Sequence, residues 1–212
     1  MASDIDREWV MVLTGWMLSA AMALTPAASA PPAAADCQVD QAAMLALPLE
    51  AFDQDMEGGW RALDNRGCSR EAAELIAAYR RTPANVGQNL LAWHEAQIRA
   101  GLGQTAEAVA LMRQSYRPAE NNKAGWNLYV DGSIAFLQGD RAALQQARDA
   151  LAVLPPPEGI TVVEGHFMLK DGEREHRIAW PPNLNVLDAL LRCFGQPYGE
   201  AYGSQACRTP KK

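Results

Sequence analysis

Few side chains in this sequence are of the kinds that do chemistry, and their spacing narrows the choices. There are three histidines, His94, His166 and His176. No nucleophile elbow, phosphate-binding glycine loop, H-E-x-x-H pair or dinucleotide fingerprint occurs. Asp53, Asp55 and Glu57 precede Gly58, with Asp64 at the twelfth place, a spacing close to that of a calcium-binding loop. Trp60 at the eighth place and the short Asp64 carboxylate argue against that use. An acidic helix start, where carboxylates suit the positive end of the dipole, accounts for the same residues. Glu164, Lys170, Glu173, Glu175 and Arg177 bring opposite charges together on a predicted hairpin, which reads as a solvated ladder rather than a carboxylate pair for hydrolysis. The expectation is therefore no catalytic residue, no metal and no cofactor.

Length, charge and the N-terminal segment set the compartment. Val10 to Thr25 is an apolar run of 16 residues, short of the roughly 20 that span a bilayer. Pro26 and small residues follow, and Ala28-Ser29-Ala30 and Ala33-Ala34-Ala35 both fit an A-x-A cleavage site. Pro31 disfavours the first of these, so residues 1–35 are expected to be a signal peptide, with an N-terminal anchor as the alternative. Asp4, Asp6 and Glu8 depart from a positive leader, and a start at Met11 would remove them. The formal charge is −6 for the 212 residues, and residues 31–212 carry 18 basic and 22 acidic groups, a charge of −4. No basic run exceeds the pairs Arg80-Arg81 and Lys211-Lys212, which argues against a nucleic-acid partner. The remainder suits a single domain with no membrane span.

All four cysteines, Cys37, Cys68, Cys193 and Cys207, follow the apolar segment, and an even count in an exported chain implies disulfides. Three pairings are open. Cys37–Cys68 and Cys193–Cys207 are preferred because each joins neighbouring segments. A zinc site would call for a C-x-x-C pair, which is missing.

Gly67, Gly103 and Gly139 recur 36 residues apart and organise the region 36–157. Each follows an apolar helical stretch and precedes an alanine-rich one that ends near proline. Trp60, Leu63, Ala72, Leu75, Ile76 and Tyr79 form the first unit. Leu90, Trp93, Ala108, Val109 and Met112 belong to the second, and Trp126, Tyr129, Phe136, Leu144 and Leu151 to the third. Spacings of three and four place these residues on helix faces. The glycines suit the left-handed turn between helices, with Ser69, Thr105 and Asp140 as N-caps. The pattern resembles the tetratricopeptide repeat family over about half of the chain, on Gly67, Gly103, Gly139, Ala72 and Ala108. Its departures are the longer period, Leu144 in place of the third alanine, Trp60 where a small residue is usual, and Arg148 where an apolar one is usual. The resemblance implies stacked hairpins that cannot bury their faces alone.

It also implies a concave groove that binds peptides. Carried over by position, that groove falls on Glu57, Arg61, Trp93, Gln97, Trp126, Tyr129 and Ser133. Large flat aromatics with a few polar groups suit peptide capture. The alternative is that Trp93, Trp126 and Tyr129 are core between helices, which the weaker match in the first helices favours.

Residues 158–212 change period. Alternating runs Ile160–Lys170 and Glu173–Trp180 flank Asp171-Gly172, a hairpin signal. A two-residue turn there would set Lys170 opposite Glu173, Phe167 opposite His176 and His166 opposite Arg177. The apolar face, Val163, Phe167, Leu169, Ile178 and Trp180, is expected to dock on the helices. A helix through Leu187, Leu190, Leu191 and Phe194 should cap the array, and Gln196–Lys212 should be a disulfide-held loop. The chain thus reads as mainly α: three stacked helix-turn-helix repeats, a C-terminal β-hairpin and a capping helix. The functional expectation is a periplasmic or secreted, non-enzymatic protein- or peptide-binding adaptor or envelope assembly scaffold. An inhibitor or immunity-type protein acting on one enzyme through the hairpin's polar face is the second reading, and an envelope polymer hydrolase the third.

Overall fold

The computed structural model describes residues 36–85, 87–171 and 174–209. The predicted leader 1–35, Gly172 of the predicted turn with Glu173 after it, and Lys211-Lys212 lie outside them. Helix α1 (Gln41–Leu45) starts at Asp40, whose carboxylate accepts from the Ala43 amide. A five-residue π turn (Glu50–Gln54) leads to the short α2 (Arg61–Asp64) and then α3 (Ser69–Arg80). Two full hairpins follow, α4 (Asn89–Gly101) with α5 (Thr105–Gln114) and α6 (Trp126–Leu137) with α7 (Arg141–Ala152). The β-hairpin is β1 (His166–Asp171) and β2 (Arg174–Ala179). Helices α8 (Leu184–Arg192), α9 (Tyr198–Gly203) and α10 (Gln205–Arg208) complete the chain. The tail from Gln196 is therefore helical in part, not a loop.

The glycine period has the expected geometry. Gly67, Gly103 and Gly139 have φ of 84°, 75° and 72°, each in the left-handed turn before the second helix of its unit. Asp140 caps α7 by accepting from the Ala143 amide. Ser69 does not cap α3: its hydroxyl donates to Asp64 at 2.6 Å, and Cys68 occupies the cap position. Thr105 lies inside the first turn of α5, with Gln104 at the cap. The first unit is truncated, because the π turn and α2 together replace a full first helix.

Helices pack in chain order, and α8 closes the array against α6 and α7. Ala72 and Ala108 are fully buried at the close contacts. The departures in the third unit compensate one another. Leu144 fills the space left by Gly132, where an added Cβ would stand 3.3 Å from Leu144 and 2.6 Å from Leu187. Arg148 meets Asp188 of α8 at 2.7 Å. Two apolar cores result. Phe52, Trp60, Leu63, Ile76, Tyr79, Leu91 and Ile98 form one; Trp93, Tyr129, Val130, Phe136, Leu144, Leu187 and Tyr198 anchor the other.

The hairpin register is displaced from the expected one. Phe167 pairs with Ile178, Leu169 with His176, Lys170 with Glu175 and Asp171 with Arg174, so Asp171 ends the strand instead of starting the turn. The slip is two residues, which preserves which face each side chain takes. His166 and His176 remain on opposite faces. Docking is the larger correction. Neither strand packs along a helix; the hairpin is held at its base, where the Trp180 indole donates to the Leu154 carbonyl at 3.0 Å and packs edge-on against Phe167.

Both preferred disulfides are present, Cys37–Cys68 and Cys193–Cys207. The second is backed by Arg192, which donates to the carbonyls of Cys207 and Arg208. No helix among the described residues is long and apolar enough to cross a membrane. Replacing Cys193 and Cys207 by serine is expected to cost about 3 kcal/mol, the chain-entropy value for a loop of about 15 residues. Thermal unfolding followed by circular dichroism should show Tm lowered by about 10 °C with helical content retained.

Candidate functional site

The seven residues carried over from the repeat resemblance do not form one groove. Trp93, Tyr129 and Ser133 are 3%, 2% and 0% exposed. The Trp93 ring lies 4.7 Å from Tyr129 and 5.1 Å from Trp126, and Ser133 donates to the Tyr129 carbonyl within its own helix. Trp126 is half-buried, its indole donating to the Ser115 carbonyl with Arg117 over the ring. Helix α6 is the reason. It is apolar on nearly every side, and α5, α7 and α8 cover it, so its aromatics become core. Glu57 is exposed on the turn before α2. Arg61 and Gln97 face a different place, built around Asp53.

Asp53 is 1% exposed. The π turn carries it under α2, and α4 supplies its partners. Its Oδ1 accepts from Trp60 Nε1 at 2.8 Å and lies 2.7 Å from His94 Nδ1. Arg61 stacks on the Trp60 ring, donates to the Asp53 carbonyl and sits 3.7 Å from the carboxylate. Burial raises the pKa of Asp53. The His94 hydrogen bond and charge, the Trp60 indole and Arg61 together outweigh burial and hold it below the usual carboxylate value. The Asp53 carboxylate at Nδ1 fixes the orientation of the His94 ring. With its carboxylate turned inward onto protein donors, Asp53 does not serve a calcium loop.

His94 also lines a cavity of about 370 Å³, with Trp60, Asp64, Gln97, Tyr198 and Tyr202 among its other walls. Tyr198 is 6% exposed, and its hydroxyl is enclosed beside Gln97. Burial and the neighbouring Tyr202 push that hydroxyl's pKa up, while Gln97 and Arg208 act the other way. A base held by a carboxylate needs a nucleophile within hydrogen-bond reach to act on an acyl or phosphoryl group. Ser69 shares the cavity, but its hydroxyl is given to Asp64. Among the described residues no hydroxyl or thiol bonds to His94.

The pairing of Asp53 with His94 spans 41 residues, and no local pattern announces it. A second buried charge was partly legible. Glu95 is 3% exposed between Arg80, at 2.6 Å, and Arg99, at 2.7 Å. Its spacing of four from Arg99 is a helical ion-pair signal. Its burial is not visible locally, because α3 supplies Arg80.

The remaining exposed feature is the hairpin. Val163, Met168 and Leu169 are 63%, 53% and 49% exposed. On the charged face, Lys170 meets Glu175 at 3.1 Å and Arg177 meets Glu164 at 3.8 Å. The two strands form a sheet of their own, with no third strand among the described residues.

No known protein family matches the chain, and neither a characterised protein nor a solved structure is significantly similar to it.

Trp93→Ala is expected to lower stability by roughly 3–5 kcal/mol, as for a buried aromatic, measured by denaturant unfolding. Asp53→Asn should remove part of the acid limb of the stability curve. A lowered native pKa contributes stability that is fully present above about pH 4 and is lost as pH falls through the native value. The wild type should therefore lose stability below that pH more steeply than the variant, in urea titrations run from pH 7 to pH 3.

Proposed function

We propose that this chain works outside the cytoplasm as a non-catalytic protein- or peptide-binding scaffold that takes its partner on the β1–β2 hairpin. The observation that carries the reading is the hairpin's exposure. Large apolar side chains stand on an element attached only at its base, where burial against the helices was expected. Exposed apolar residues on a rigid projection suit a partner interface. Both outer strand edges are open among the described residues, so an extended partner segment has backbone donors and acceptors to pair with. The charges flanking Met168 are paired within the hairpin, so the apolar residues rather than the charged ladder are the contact.

Two disulfides and the lack of a membrane-crossing helix among the described residues support an extracellular or periplasmic setting. The repeat-like stacking supports a rigid scaffold resembling tetratricopeptide arrays, with its concave face given over to core. The narrowness of the contact element favours, as a second reading, a dedicated inhibitor of one enzyme.

The test is a photo-crosslinking residue placed at Leu169 or Met168 in the exported chain, with Asp149 as the control position. Discrete adducts are expected at the hairpin positions only. Leu169→Asp should abolish an adduct from a crosslinker at His176, its cross-strand partner on the same face, while Tm moves by about 1 °C or less, because the Leu169 side chain is half exposed. One stoichiometric adduct marks a dedicated partner, and several mark an adaptor. Adducts equal to those at Asp149 would remove the hairpin as the contact.

A further inference from the structure

The cavity beside His94 is a second feature, independent of the hairpin, and its walls select one kind of guest. Among the described residues its one lining group of fixed charge is an acid, Asp64, while Arg61 and Arg208 stand outside the lining over the Trp60 and Tyr202 rings. Asp64 accepts from Ser69 through Oδ1, and Oδ2 makes no hydrogen bond among the described residues. Arg61 feels the Asp64 charge but is held by Asp53 and the Trp60 ring. Behind the wall, buried Asp53 adds a further carboxylate, 2.7 Å from His94 Nδ1. The other walls are aromatic: Trp60, and Tyr198 stacked on Tyr202 at 5.6 Å and 20°. Aromatic faces carry negative electrostatic potential and attract cations. The enclosed Tyr198 hydroxyl adds a polar group to this wall. A lining acid with no lining lysine or arginine among the described residues, beside aromatic rings, leaves an organic cation as the complementary guest.

We infer that this cavity binds an organic cation, the alkylammonium group of a lysine side chain or of a free amine, with Asp64 as the acceptor and the Trp60 and tyrosine rings as walls. A volume of about 370 Å³ admits a group of that size.

The experiment titrates the full exported chain with N-acetyl-lysine methylamide by calorimetry, following the Trp60 indole resonance in parallel. N-acetyl-norleucine methylamide supplies the uncharged stem, N-acetyl-glutamate the opposite charge, and cadaverine the free amine. The lysine amide is expected to bind saturably, the norleucine amide at least about tenfold more weakly, and the acid not at all. Asp64→Asn should weaken the lysine amide about tenfold. Gln97→Glu, which adds a carboxylate to the same wall, should tighten it, a change that loss of folding cannot produce. Cadaverine matching the lysine amide identifies a free amine as the guest; cadaverine tenfold weaker identifies a peptide side chain. Equal binding of the norleucine amide, preference for the acid, no response to either variant, or no saturation by about 10 mM would each overturn the inference.

Discussion

Helix α4 has to be buried on two sides, and the rest of the structure follows from that constraint. Leu91 and Ile98 face the first core, while Trp93, Ala96 and Ala100 face the second. A helix so covered cannot present a groove. It acts as a common wall, and each neighbouring unit is stable only because α4 closes it, as expected where short hairpins cannot bury their faces alone. The truncated first unit depends on this most. Its π turn and α2 are too short to make a core by themselves, and α4 supplies the surface they need.

The same constraint draws charge inward. His94 and Glu95 are consecutive on α4, and each is matched by a group from another element. Asp53 reaches His94 from the π turn, and Arg80 reaches Glu95 from α3. Buried ions are tolerated only when paired and hydrogen-bonded, so these contacts fix how α2 and α3 sit on α4. The cavity beside His94 is a by-product of that arrangement. The Asp53 side of the ring is closed by protein, and the other side opens towards α9, whose tyrosines complete the wall.

The periodic features were legible. Three glycines at a constant interval, alanines five residues beyond the first two, and prolines at the ends located the helices and their turns. Each reports a local backbone or packing requirement that needs no partner to be recognised. The cysteine pairing was legible for a similar reason, since each bridge joins segments close in sequence. The hairpin was legible as alternation, but its register was not. A slip of two residues leaves every side chain on its face, and face is all that alternation records.

The site was poorly legible. Trp93, Tyr129 and Ser133 occupy helix positions that suit a groove or a core equally well, and the choice depends on what covers α6. By itself the sequence determined the second helices of the repeats, the repeat period, the strand pair and the disulfide pairing preferred on proximity, because each is governed by contacts between near neighbours. Tertiary structure alone decided which aromatics are sealed in, which carboxylate meets His94 and which apolar residues of the hairpin stay in water. Those outcomes depend on the packing of elements tens of residues apart, where burial, and not residue type, sets the role of a side chain.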